Sequence, residues 1–268
     1  MEDVAVVDAH AHVFDFATPL APGAWHRPAA EATIEQYLAL LDAHGVRRGV
    51  LAAASIYGTN NGYALDACRR HAQRLRTTVI LDPECSLAEM KSLAASGAVG
   101  IRLQWRNVAK TPDLASPTWR AFLHRIAKLD WHVELHDDSA RLAHPLAALE
   151  AAGVKIVVDH FGRPGEGAGI RCPGFQRLLR SIETGRTWVK LSSAFRLVSP
   201  QLAIDAAQAL LRCAGPERLM WGSDWPFAAF ESTIDYGQTL ATFEDWVPDA
   251  AARRRIGSET PLAFYFNE

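Results

Sequence analysis

The 268-residue sequence predicts an α/β fold: one domain, residues 1–268, built as a (β/α)8 TIM barrel with room for distortion. Three observations predict it. Eight short apolar runs recur along the chain, and a helical stretch with its own cap or stop signal follows nearly every one. Histidines and acids gather at the C-terminal ends of those runs, where a barrel keeps its chemistry. No linker or low-complexity stretch divides the chain. The same alternation would also build an open doubly wound sheet, the alternative. A dinucleotide site is not supported, because the glycine-rich stretch 162–169 lacks the Gly-x-Gly-x-x-Gly spacing and reads as a surface loop.

The first strand is Val4–Val13, apolar and β-branched up to two histidines. His10 and His12 are two residues apart, so on a strand they project from one face. Alone, that pair is equally compatible with two satisfied polar side chains at a strand end. A long Pro- and Ala-rich loop follows, in which Trp25 and His26 could close over a ligand or simply pack. Thr33 and Gln36 have capping-box spacing, Ile34, Tyr37, Leu38 and Leu41 follow at helical spacing, and Gly45 stops the helix.

The remaining strands are placed at 48–55, 77–81, 99–105, 132–136, 155–160, 188–192 and 219–224. The helices between them fall at 62–74, after the Ser86–Glu89 cap, and at 119–129, 143–152, 175–184 and from Pro200 to about 214. A last, interrupted helix spans about 250–266. Asp137 and Asp138 are placed to cap the helix after them.

Net charge is −2 and no basic stripe occurs, so nucleic acid is not an expected partner. The longest apolar runs are strand-sized, short of the roughly 20 residues a membrane span needs. No secretory signal is evident, and Cys68, Cys85, Cys172 and Cys213 are scattered without paired spacing. The expectation is a cytoplasmic protein with reduced thiols. Assembly into a homo-oligomer is left open.

The polar residues at strand ends are His10, His12, Arg102, His136, Asp159, His160, Ser223 and Asp224. Asp159, next to His160 on a strand, is expected to face the other way. Two chemistries suit imidazoles gathered with a carboxylate. They could hold one Zn²⁺ ion, or another divalent metal, that activates water. Without metal, Asp224 could act as general base while imidazoles polarise a carbonyl. Both end in hydrolysis. Arg102, alone in an apolar strand, needs an anion: a substrate carboxylate or a protein acid. Arg106, Arg163 and Arg196 follow strand ends and could extend an anion pocket, and Tyr57 lies where it could line one. Lys190 is taken as a structural pairing. Ser223 lacks a Gly-x-Ser-x-Gly elbow, so a serine hydrolase is not expected.

Four motifs then carry a resemblance: Val-Asp-Ala-His-Ala-His (7–12), Val-Asp-His-Phe-Gly-Arg-Pro (158–164), Val-Lys-Leu-Ser (189–192) and Met-Trp-Gly-Ser-Asp-Trp-Pro (220–226). With Glu-Thr-Pro-Leu-Ala-Phe-Tyr (259–265), they resemble the amidohydrolase superfamily. The branch they are similar to contains 2-pyrone-4,6-dicarboxylate lactonase and sugar lactonases.

The resemblance implies a TIM barrel that hydrolyses an ester or lactone, with a small carboxylate-bearing lactone as substrate. It makes His10, His12 and His160 catalytic histidines and Asp224 the general base. It assigns Arg102 to a substrate carboxylate. The superfamily's bridging lysine is absent from the fourth strand, where Arg102 and Gln104 stand, so a binuclear site is not expected. His136 would complete a mononuclear site with His10, His12 and Asp224, while the pyrone lactonase works without metal. The alternatives are non-oxidative decarboxylation at the same site and a non-catalytic barrel that binds a small anion.

Overall fold

A computed structural model describes residues 6–165 and 167–268. The start of the expected first strand, Val4 and Ala5, lies outside the described residues, as does Glu166 of the 162–169 loop. Eight strands run parallel in sequence order: β1 (Val7–Ala11), β2 (Arg48–Leu51), β3 (Leu75–Val79), β4 (Ala98–Gln104), β5 (His132–His136), β6 (Lys155–Val158), β7 (Thr187–Leu191) and β8 (Leu219–Trp221). The sheet returns on itself just past β8. Asp224 N–H donates to His10 O at 2.8 Å, and His12 N–H donates to Trp225 O at 2.7 Å. This is the (β/α)8 barrel rather than the open sheet.

The helices between strands are α1 (Ile34–Ala43), α2 (Gly62–Arg70), α3 (Leu87–Ala95), α4 (Pro117–Lys128), α5 (Ala143–Ala151), α6 (Pro173–Glu183) and α7 (Pro200–Ala214). The capping boxes of Thr33 with Gln36 and Ser86 with Glu89 are both formed. Leucine, isoleucine and aromatic side chains of these helices pack on the outer faces of the strands in one continuous core. The eighth helix, α8 (Tyr236–Trp246), was not expected from the sequence, although Asp235 and Gln238 form a capping box at its start. The region placed at 250–266 begins as α9 (Ala250–Arg254) and continues as two π-helical turns, 255–259 and 262–266. Tyr265 and Phe266 there pack on Val7, Val50, Val157 and Met220 at the barrel's other end.

Candidate active site

The strand ends form a cup. β1 brings His10 and His12 to one face, as their spacing requires, with ring centroids 5.0 Å apart. The His160 ring lies 4.8 Å from His10 and 4.6 Å from His136. Asp224 Oδ1 is 3.6 Å from His10 Nε2 and 3.4 Å from His12 Nε2. His10, His136, His160 and Asp224 are buried, while His12 keeps a 13% exposed side chain.

Four residues of the cup hold left-handed backbone: His160 (φ 54°), Arg163 (φ 45°), Ser193 (φ 58°) and Asp224 (φ 63°). That conformation costs a non-glycine residue about 1–3 kcal/mol and concentrates where function demands it. Here it turns side chains inward just after the strands end. It also corrects the expectation for Asp159. That carboxylate does not face away from His160; it points into the barrel beneath it, because strand alternation stops where His160 leaves the strand.

Asp224 is embedded in donors. Ser193 Oγ–H and Arg196 Nε–H both donate to Oδ2, the latter at 2.8 Å. Burial pushes its carboxyl upward, but Arg196, His12, His160 and His10 outweigh this and hold it well below the usual carboxylate range. It is ionised throughout the neutral range. Burial, assisted by neighbouring cations, holds His10 and His136 well below the usual imidazole value. Burial does the same to His160, whose Nδ1 shares a 2.8 Å hydrogen bond with Ser192 Oγ. Neither Ser192 nor Ser193 was singled out from the sequence as a site residue.

These shifts predict a pH dependence of stability. The folded imidazoles remain neutral where those of the unfolded chain, near 6.5, take up protons. Below that value the unfolded state binds more protons, so stability falls as pH falls. The slope is about 1.4 kcal/mol per pH unit for each imidazole still neutral. Urea unfolding between about pH 7.5 and 5 should show this decline; a flat profile would contradict the buried neutral imidazoles.

Beneath the cup, Arg102, Glu134, Asp159 and Lys190 form a buried, charge-balanced cluster. Arg102 reaches Glu134 Oε1 at 2.8 Å, Asp159 Oδ2 at 3.0 Å and the carbonyl of Ala53 at 3.0 Å. The anion that Arg102 requires is therefore supplied by the protein, while its side chain also borders the cup. Lys190 Nζ–H donates to Glu134 Oε2 and, at 3.1 Å, to His10 Nδ1, which is the expected structural pairing. Glu134 stands between Val133 and Leu135 in β5 and was not singled out from the sequence.

Arg163 and Arg196 line the cup with Arg106. Arg163 Nε donates to Asp138 Oδ1 at 2.7 Å, and Arg196 Nε to Asp224. Among the described residues, the terminal amino groups of both arginines have no hydrogen-bond acceptor. Arg106 is more exposed and pairs with Asp138 at 3.4 Å. Asp138 thus organises two arginines instead of capping a helix, and Asp137 pairs with Arg141. Tyr57 does not line the cup. It packs with Phe14 and Ile56, and its hydroxyl donates to the carbonyl of Asp15 at 2.8 Å and accepts from the Asp15 N–H at 3.0 Å, tying down the first loop. That loop crosses the mouth, pinned by Trp25 Nε1–H to Ser55 Oγ at 3.0 Å and by His26 Nε2, 3.6 Å from Glu231.

Two groups bring potential metal ligands within 4.8 Å among the described residues: His10, His12 and Asp224, and His10, Asp159 and His160. His136 belongs to neither. Metal-bound histidines normally donate their other ring N–H to a carbonyl or carboxylate. His12 does so, with Nδ1 2.8 Å from Ala52 O. His10 Nδ1 instead meets Lys190 Nζ at 3.1 Å as well as Asp159 Oδ1 at 3.3 Å, and His136 Nδ1 meets Arg102 at 3.4 Å. A cation beside each of these two rings makes them poor partners for a divalent metal ion.

The sequence matches the family model described as amidohydrolase over residues 7–266. A 4-sulfomuconolactone hydrolase from Hydrogenophaga intermedia is 29% identical, covering 96% of this chain and 88% of the relative. A solved structure from Pseudomonas putida, described as a 2-pyrone-4,6-dicarboxylic acid hydrolase, is 37% identical with a TM-score of 0.92, covering 99% of this chain and 98% of that one. One of the same description from Acinetobacter baumannii, with citric acid bound, is 31% identical with a TM-score of 0.93, covering 98% and 99%.

Proposed function

The chain belongs to the amidohydrolase family, and we propose that it opens a small carboxylate-bearing lactone with water activated by Asp224 and no metal in the step. One observation carries the reading: an ionised, buried carboxylate faces the neutral imidazoles of His10, His136 and His160, beside two arginines whose terminal amino groups have no acceptor among the described residues. The relatives support it, since both hydrolase names describe ring-opening of acidic lactones.

In this reading the substrate carboxylate lies against the terminal guanidinium groups of Arg163 and Arg196, with Arg106 at the rim. Arg102 donates to His136 Nδ1, so the His136 proton sits on Nε2, a buried atom with no acceptor among the described residues. That donor receives the lactone carbonyl oxygen and stabilises the charge it develops, with His160 beside it. Asp224 Oδ1 takes a proton from water as the water oxygen bonds to the carbonyl carbon. The ring C–O bond then breaks, and the leaving oxygen takes the proton back. His12 Nε2, 3.4 Å from Oδ1, shares that proton in between. The net change is addition of one water to the lactone.

The test is turnover of acidic lactones, followed by acid release and product identification. A ring-opened acid supports the proposal; CO₂ release would mean a decarboxylase, and binding without turnover an anion-binding barrel. Elemental analysis is expected to find no stoichiometric metal, and activity should survive a chelator unchanged. Loss of activity to the chelator, restored by Zn²⁺, would refute the metal-free step.

A further inference from the structure

Lys190 is a wholly buried cation that the proposed chemistry does not touch. It stands inside β7 with Nζ against Glu134, 3.1 Å from His10 Nδ1 and 3.7 Å from Asp159 Oδ1. An ammonium has three protons and no lone pair, so toward His10 it can only donate. His10 Nδ1 is then the acceptor, and the proton of the neutral ring sits on Nε2. His12, two residues along the same strand, is held from the other nitrogen's side: its Nδ1–H donates to Ala52 O at 2.8 Å. Asp224 Oδ1 therefore faces His10 Nε2–H at 3.6 Å, with His12 Nε2 3.4 Å from the same oxygen.

We infer that Lys190 is a positioning residue that holds His10 in the Nε2–H tautomer, making His10 a donor in the cup and closing the His10–His12–Asp224 triad to divalent cations. The inference rests on the metal-free reading above and names the residue that enforces it. Glu134 and Asp159 keep the ammonium in the barrel, and Arg102 balances the second carboxylate. His10 Nδ1 also lies 3.3 Å from Asp159 Oδ1, an atom with no hydrogen-bond donor among the described residues, and without Lys190 that oxygen is its nearest partner. Nδ1 would donate there. The Nε2 lone pair would then open beside His12 Nε2 and Asp224, completing three ligand atoms already within 4.8 Å.

The experiment uses the full chain labelled with ¹⁵N at histidine and reads tautomers from long-range ¹H–¹⁵N correlations, with His10 assigned by His10→Gln. Wild type is expected to show His10 protonated at Nε2. Lys190→Met alone would leave Glu134 short of its partner, so it is combined with Glu134→Leu, which removes one charge of each sign and retains Arg102 with Asp159. In that double variant the His10 pattern should invert. After equilibration with Zn²⁺ and desalting, the double variant should retain close to one zinc per chain and wild type only a trace. Lys190→Arg keeps a cationic donor and should keep the wild-type pattern and the exclusion of zinc.

Wild-type His10 protonated at Nδ1, or wild type retaining as much zinc as the double variant, would overturn the inference. If the double variant fails to fold, the wild-type and Lys190→Arg measurements still decide. Both readouts need no substrate, so a failure to hydrolyse any lactone would defeat the functional reading and leave this one standing.

Discussion

Asp224→Asn should lower kcat by roughly 10²–10⁴-fold with KM nearly unchanged. Asparagine has the same volume, and its side-chain carbonyl can still accept from Ser193 and Arg196, so the left-handed turn that carries residue 224 should persist. The amide cannot take a proton from water. The loss therefore falls on the chemical step and not on binding, which the arginines govern in the proposed arrangement. Steady-state kinetics with a hydrolysed lactone, beside a thermal melt showing an intact fold, is the measurement. Turnover within a few-fold of wild type would remove Asp224 as the base.

Arg102→Met is expected to destabilise the protein by about 3–5 kcal/mol, the cost of breaking a buried charge pair by removing one partner. Glu134 and Asp159 would be left with Lys190 as their one remaining cation, inside a region where neither side chain is exposed. Urea unfolding reads this loss. A substrate clamp would behave differently: methionine would raise KM steeply and leave stability nearly intact. That second pattern would return Arg102 to the role its isolation in an apolar strand first suggested.

Much of the fold was legible because its signals are local. Capping boxes at Thr33 and Ser86 and the β-branched runs announced their elements directly. The helix Tyr236–Trp246 carries the same kind of signal in Asp235 and Gln238, a capping box that follows no apolar strand run. The pairing of His10 with His12 was legible from strand parity, and the place of His160 and Asp224 just past strand ends from strand length, both local properties. Asp159 escaped because parity holds only while a strand continues, and the positive φ at His160 ends it. Tyr57 escaped because its distance from a strand tip does not say which way a 3₁₀ turn will carry it.

The sequence alone determined the barrel, the gathering of imidazoles and a carboxylate at its mouth, and the hydrolytic class those groups serve. Tertiary structure decided which partner each charge takes. Arg102 was given protein acids, and Lys190 was set against His10 across 180 residues of chain. The physical reason is range: backbone propensity and side-chain alternation act over a few residues. The tautomer of a histidine, or the partner of a buried guanidinium, depends on ångström distances that exist only once the eight strands have closed.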